Sequence, residues 1–532
     1  TFKVPILRCE QGNRMSFEIV NVDLNGRIGK LYTKSGILET PYFFPVVNKN
    51  KLVIATSELK DEFKINGIMT NAYLIKKEYE SKGLEIEDIH KILNFDGIVY
   101  TDSGGYQILR YGKIKAEPEN IIEVEEKLNV DIGTMLDVPT GIKKDYEKAK
   151  ESVKKTIENA DRSIKKITRR DILWVGPIQG GIFEDLLSLS AHEMANRGFD
   201  ILALGSPVEL MERYNFSQLI RMGIIAKANV PNGIPIHFFG AGHPMILSFL
   251  VALGYDIFDS ASYALYAYED RYITAHGTFK LNELDYFPCE CEVCNRHTPK
   301  ELKEMEKNER TKLLAKHNLH AILREIKEIK ERIKEGTLWD LIEIRSRAHP
   351  KTFAAFKELV RVAPKIFNES PVFKRRGIFV FDQMSEERPE IAYSRKKEIE
   401  KIGQRCKHLI LLFVGEENKL SNKIVGKIIE NIKLDENKMC VYYLNKFFGF
   451  VPIWLYWTSP FNKIVSPEDA LPEEKIEEII NRLISSTLSS NSSKEVEMTI
   501  IRDRDSFLLS EKFIEKLSVE RGIKIRNKID LE

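Results

Sequence analysis

Between residues 43 and 259, short apolar runs alternate with longer stretches in which apolar positions recur every three or four residues. The runs occupy 43–47, 67–71, 97–102, 130–137, 173–179, 201–205, 234–239 and 256–259, most of them ending on a polar residue or glycine. A short continuous apolar run is the pattern of a strand buried on both faces. Helical periodicity covers 145–168, 183–197 and 210–228. Eight strands alternating with helices over roughly 220 residues predict an α/β fold, a closed TIM (β/α)8 barrel. An open doubly wound sheet is the competitor, but no GxGxxG follows the first strand and eight units suit closure. Upstream, residues 16–47 alternate like strands, with Asn25-Gly26 marking a tight hairpin.

Past the barrel a charged amphipathic helix is expected over 325–344, its charges forming a solvated face. Beyond about residue 346 the barrel rhythm stops and smaller α+β domains are expected. The predicted domains are 1–345, with a metal-binding segment at 285–320, then 346–460 and 461–532. The middle region carries basic clusters at Lys374-Arg375-Arg376, Arg395-Lys396-Lys397 and Arg405, Lys407, His408. With Phe373, Phe379 and Tyr393 nearby, these offer a face for an RNA backbone. The aromatic stretch 440–457 (Tyr442, Tyr443, Phe447, Phe448, Phe450, Trp454, Tyr456, Trp457) reads as core, and 485–493 as a flexible loop. Two strands, at 497–501 and 523–529, flank a helix near 510–517 at the end of the chain.

A chain of 532 residues exceeds one ordinary core. Its net charge of +2 neither demands nor excludes nucleic acid, since a basic face can hide in a balanced total. With no bilayer-length apolar run and no signal-peptide pattern, a cytoplasmic location is expected.

The strand-end residues turn this fold into chemistry, because barrel sites form where the strands terminate. Those ends carry Asn71, Asp102, Asp137, Gln179, Gly205 and Asp259. One such Asp is usually a helix cap; three at corresponding positions argue for a used cluster. Thr101-Asp102-Ser103-Gly104-Gly105-Tyr106-Gln107 puts an acid, a hydroxyl, bare backbone and a stacking ring within six residues, a pocket for a heterocycle. Cys289, Cys291 and Cys294 are too close together to pair as disulfides, and tetrahedral zinc needs a fourth ligand. His317 and His320, three residues apart on one helix face, are both candidates, while His297 is tightly tethered. A full set of protein ligands makes the zinc structural. Cys9, Cys406 and Cys440 read as small apolar residues.

These motifs, with Asp131-Ile132-Gly133-Thr134-Met135-Leu136-Asp137, Ile178-Gln179-Gly180, Phe239-Gly240-Ala241-Gly242-His243-Pro244 and Phe258-Asp259-Ser260-Ala261-Ser262-Tyr263, resemble the tRNA-guanine transglycosylases of the archaeal, archaeosine type. So do Asp285-Tyr286-Phe287-Pro288 and Leu314-Ala315-Lys316-His317-Asn318-Leu319, and the likeness covers about the first 350 residues. It implies a TIM barrel that replaces guanine at position 15 in the tRNA D arm with 7-cyano-7-deazaguanine (preQ0), on the way to archaeosine. By motif, Asp259 falls on the nucleophile, Asp102 on the general acid/base and His317 on the zinc histidine. Asp137 suits the ring N–H and amine of guanine, Gln179 and the backbone near Gly205 its carbonyl, with Ser103 nearby and Tyr106 stacking. Exchange with retention calls for two displacements through a covalent ribosyl-enzyme and no external cofactor. The family also suggests a homodimer. No complete PUA domain is apparent at the C-terminus, so one is expected from another chain or dispensed with. The turn Gly205-Ser206-Pro207-Val208 departs from the pattern, where a second glycine is expected. Two other readings are a non-catalytic tRNA-binding paralogue, against which the retained acids and cysteines argue, and a nucleosidase using the same carboxylates, which leaves the basic C-terminal region without a purpose. A zinc deaminase is disfavoured by the closed metal set.

Overall fold

A computed structural model describes residues 16–105, 117–142, 144–394, 408–413, 439–445, 447–455, 458–461, 463–467, 478, 497–503 and 524–531. By internal contacts the chain divides into two compact units, Thr1–Lys334 with Leu341–Leu359, and Glu335–Asp340 with Val360–Glu532.

The first unit opens with an antiparallel sheet of β1 (Phe17–Asp23), β2 (Gly26–Thr33) and β3 (Gly36–Thr40). Its first turn falls one residue earlier than Asn25-Gly26 predicts. Asp23 pairs with Gly26, so Leu24 and Asn25 make the turn. Leu24 holds a φ of 56° with its side chain buried, and Asn25 N–H donates to the Ala252 carbonyl.

All eight predicted runs then form parallel strands: β4 (Tyr42–Pro45), β5 (Gly67–Asn71), β6 (Ile98–Asp102), β7 (Ile132–Thr134), β8 (Leu173–Ile178), β9 (Ile201–Leu204), β10 (Ile236–Phe238) and β11 (Ile257–Ser260). They pair in the order β4-β11-β10-β9-β8-β7-β6-β5. The ring closes where Val46 bridges Met69 and Val47 N–H donates to the Met69 carbonyl at 2.8 Å. The strands are buried throughout because helices cover the outside and side chains fill the inside. Ile98, Ile132, Leu173, Ile201 and Ile257, the first residues of their strands, meet Phe17, Leu31 and Leu38 of the antiparallel sheet. Each such side chain contributes roughly 1.5–3 kcal/mol by leaving water. That sheet therefore plugs the N-terminal end and leaves the C-terminal end for the site.

Two helices differ from expectation. The predicted 210–228 stretch is Val208–Glu212 followed by Phe216–Ala228, because Tyr214 adopts a φ of 53° with its ring against Phe216 and His349. The predicted 325–344 helix is the end of Lys307–Glu335 and the start of Leu338–Ser346, separated at Gly336, whose φ is 77°. Its charges are not all solvated: Glu325 is buried and held by Arg345 at 2.8 Å. A short hairpin, β12 (Arg271–Thr274) and β13 (Gly277–Lys280), follows the barrel.

The second unit contains β14 (Ile378–Phe379), β15 (His408–Phe413), β16 (Met439–Asn445), β17 (Gly449–Pro452), β18 (Ile464–Val465), β19 (Glu497–Asp503) and β20 (Lys524–Leu531). Five of them form a sheet in the order β17-β16-β15-β19-β20. Tyr443, Phe447 and Phe448 of the aromatic stretch are buried against Ile410 and Leu412. Of the basic cluster at 374–376, Lys374 is buried and paired with Glu390 at 2.9 Å, so it presents no charge to a backbone phosphate. Arg375, Arg376, Phe373 and Phe379 are exposed. Residues 395–397, Arg405, Lys407, Cys9, Cys406, 485–493 and 510–517 lie outside the described residues. No helix among the described residues is long and apolar enough to cross a membrane.

Candidate active site and metal centre

Register sets the mouth of the barrel. Asn71 at the end of β5 pairs with Asp102 at the end of β6, and its amide nitrogen donates to Asp102 Oδ2 at 3.0 Å. The Asn71 amide oxygen meanwhile accepts from Leu74 N–H at 2.9 Å, which fixes the amide's sense. After Asp102 the chain turns through Gly104, whose φ of 91° suits only glycine, and Gly105. A Cβ on Gly105 would stand 2.0 Å from Asp137 Oδ1, so the turn lies directly on the second carboxylate.

Burial pushes the Asp102 carboxyl up to about 7, helped by repulsion from Asp137 and Asp259 and opposed by the Gly104 amide and Asn71. Asp102 is thus near enough to feel both of the other strand-end acids. Burial also pushes Asp137 up to about 6, opposed by the Gln179 amide. Asp137 Oδ2 accepts from Gln179 Nε2 at 2.5 Å. The Gln179 oxygen is taken by two donors, Thr140 N–H at 3.0 Å and the Ser206 hydroxyl at 2.9 Å, so the amide's NH₂ edge is the one turned toward Asp137.

Gly205 serves differently from expectation. Its N–H donates to the Ile178 carbonyl in the sheet, so it is not open to a ligand, and a Cβ there would stand 2.2 Å from Gln179 Nε2. It is small so that Gln179 can lie on it. The unexpected Ser206 holds a φ of 64°, and its hydroxyl also accepts from Gly141 N–H at 3.0 Å. Ser103 is fully buried, and its hydroxyl has no hydrogen-bond partner among the described residues. Tyr106 lies outside the described residues.

Asp259, near the end of β11, is 8% exposed. Its Oδ1 accepts from His237 Nε2 at 2.9 Å and from Gly240 N–H at 2.8 Å. On the far side of the ring, His237 Nδ1 meets the Tyr100 hydroxyl at 2.9 Å. The strand reading missed both His237 and Tyr100, which sit inside apolar runs. A lone histidine between Ile236 and Phe238 was the available signal. Glu125 was also missed. It is buried beneath the same strands, accepts from Thr101 Oγ1 and Thr134 N–H, and burial keeps its carboxyl well above the usual range.

Cys289, Cys291, Cys294 and His317 bring their ligand atoms within 4.8 Å of one another. Cys291 Sγ lies 3.5 Å from Cys294 Sγ, and His317 Nδ1 lies 3.5 and 3.4 Å from those two sulfurs. Bonds of about 2.3 Å to sulfur and 2.0–2.1 Å to nitrogen give tetrahedral edges of roughly 3.5–3.8 Å, so the set fits a four-coordinate ion. His317 Nε2 donates to the Ile273 carbonyl at 2.9 Å, which leaves Nδ1 bare as a ligand must be. Tyr272 stacks on the His317 ring, centroids 3.6 Å apart, and its hydroxyl lies 3.2 Å from Cys294 Sγ. His320 and His297 are outside this cluster.

A closed (β/α)8 barrel with buried acids and amides crowding its C-terminal mouth has the architecture of a TIM-barrel enzyme, and the Cys3His knot beyond the last strand narrows the class further. Residues 23–351 match the family described as queuine tRNA-ribosyltransferase. The chain belongs to that family, whose members are glycosyltransferases. It is 42% identical over 476 residues to the tRNA-guanine(15) transglycosylase of Sulfolobus acidocaldarius, covering 88% of this chain and 92% of that one. The protein of the same name from Saccharolobus solfataricus is 39% identical over 498 residues, 91% and 96% of the two chains. That of Pyrobaculum aerophilum is 44% identical over 381 residues, 71% and 76%.

Proposed function

We propose that this protein replaces guanine at position 15 of tRNA with 7-cyano-7-deazaguanine, a step toward archaeosine, through a covalent ribosyl-enzyme. The names of its relatives support the tRNA and the position. The observation that carries the chemistry is the setting of the two acids: Asp102 is buried with its carboxyl pushed up to about 7, while Asp259 has Oδ1 tied by His237 and Gly240 and Oδ2 left over. Asp259 Oδ2 attacks the anomeric carbon, and the glycosidic bond breaks with its electrons going to guanine. Asp102 protonates the leaving base, a transfer typically worth roughly 10²–10⁴-fold in rate. The incoming base then gives its proton to Asp102 and attacks the same carbon, returning the electron pair to Asp259. Two inversions give net retention.

Asp137, ionised above about pH 6, accepts from the ring N–H and exocyclic amine of the base. The remaining N–H of Gln179 Nε2 donates to its carbonyl, and the buried Ser103 hydroxyl, next in sequence to Asp102, has no partner among the described residues and is the further donor. The nucleotide must leave the stacked tRNA to reach this mouth. Cys289, Cys291, Cys294 and His317 would hold a zinc ion with a structural role, tying the segment after β13 to the helix Lys307–Glu335. Radiolabelled-guanine exchange into transcribed tRNA tests the reading. Label should enter wild-type reactions, be competed out by preQ0, and fail to enter with Asp102→Asn or Asp259→Asn. Full exchange by either variant would refute the assignment.

A further inference from the structure

Tyr100, His237 and Asp259 form one buried line across the top of the barrel, from β6 through β10 to β11. Tyr100 and His237 are both fully buried, and the Tyr100 hydroxyl also lies beside Thr134. A phenol has a single proton, and burial together with the nearby Asp259 and Asp102 charges pushes Tyr100's ionisation well upward. The hydroxyl therefore remains a donor. If it donates to His237 Nδ1, the imidazole proton must sit on Nε2, which faces Asp259 Oδ1. The Gly240 amide meets the same oxygen, so two donors converge on Oδ1 and none of the described groups donates to Oδ2.

We infer that Tyr100 and His237 are positioning residues that select Oδ2 of Asp259 as the attacking atom by locking Oδ1. The inference rests on the base-exchange reading above. The neutral Nε2–H tautomer is the essential element, because an imidazole protonated only on Nδ1 would turn a lone pair toward the carboxylate. Rotation of the carboxylate is then blocked, and Oδ2 stays aimed at the anomeric carbon. In the second half of the reaction Oδ1 is the ester carbonyl oxygen. The same two donors receive the charge that returns to it as the C1′–Oδ2 bond breaks.

The test uses the full chain and reads structure and rate separately. In ¹⁵N-histidine-labelled wild type, the signal assigned by its loss in His237→Gln should show Nε2 protonated and Nδ1 bare. Protonation on Nδ1 in the resting protein would overturn the inference, whatever the kinetics. In guanine exchange, His237→Phe should lower kcat by about 10- to 100-fold, the loss of one charge-assisted hydrogen bond, with KM for tRNA unchanged within about twofold. His237→Gln, which can still donate from Nε2, should recover most of that rate. Tyr100→Phe should fall between them. A kcat for His237→Phe equal to wild type would refute the role, as would equal losses in the Phe and Gln variants. Asp259→Asn run in parallel separates the two claims: its full activity would sink the base-exchange reading, whereas a dead Asp259→Asn beside an unimpaired His237→Phe would sink only this one.

Discussion

Asp102 carries a linkage that can be measured without substrate. Folding raises its carboxyl from the ordinary 3.8 to about 7, first by removing it from water and then by placing Asp137 and Asp259 beside it. Between those values the native chain holds a proton that the unfolded chain has released. Stability therefore falls as pH rises through this window, by up to about 1.4 kcal/mol per pH unit. Below it both states are protonated, and above it neither is. Asp102→Asn should melt higher than wild type at pH 8, with the gap closing toward pH 4; a pH-independent gap would contradict the shift. In turnover, kcat/KM should trace a narrow bell, rising as Asp137 ionises near 6 and falling as Asp102 does near 7. The two limbs belong to the acid cluster as a whole. Ser206→Gly should relieve a left-handed serine at no cost in melting temperature, yet weaken guanine binding about 3- to 10-fold as the Gln179 amide loses one of its two orienting donors. Calorimetric titration with the free base reads this directly. At this scale the acids and the amide were legible because polar residues end apolar runs. His237 and Tyr100 were not, because inside a run they are indistinguishable from core until three-dimensional pairing is known.

Elements were legible wherever periodicity is strong, and misread where one residue interrupts it. The eight strands follow from their apolar runs, but Tyr214 and Gly336 each split a continuous helical pattern by adopting positive φ. Nothing in the spacing of their neighbours announces that. The choice between His317 and His320 was likewise open on one helix face. It is decided in space by β12, whose Ile273 carbonyl takes the His317 Nε2 proton and whose Tyr272 covers the ring. The metal knot should behave as a staple between these elements. Cys291→Ser, or prolonged chelation, is expected to lower the melting temperature by roughly 5–10 °C with release of one zinc per chain. An unchanged melting curve after complete metal loss would remove the structural role.

For the whole molecule, the barrel could be read from the order of its runs because each strand meets its neighbour in sequence. The second unit is assembled from Glu335–Asp340 and residues far downstream, an interleaving that no local pattern reveals. Within it Trp339 packs on Phe367, and the buried Asp340 pairs with Arg388 at 2.8 Å. Truncation after Leu359 strips both partners and exposes the Trp339 ring to water. The truncated chain should show a lower melting temperature in a thermal scan, and an unaltered one would contradict this packing. The central claim remains that a carboxylate at the barrel mouth takes the ribose while one base replaces another. It is tested most directly by denaturing the protein during turnover with tRNA and mapping any nucleotide adduct by mass spectrometry. The account predicts a ribosyl ester on the peptide carrying Asp259, absent from Asp259→Asn. An adduct on another residue, or active turnover with none at any time, would contradict it.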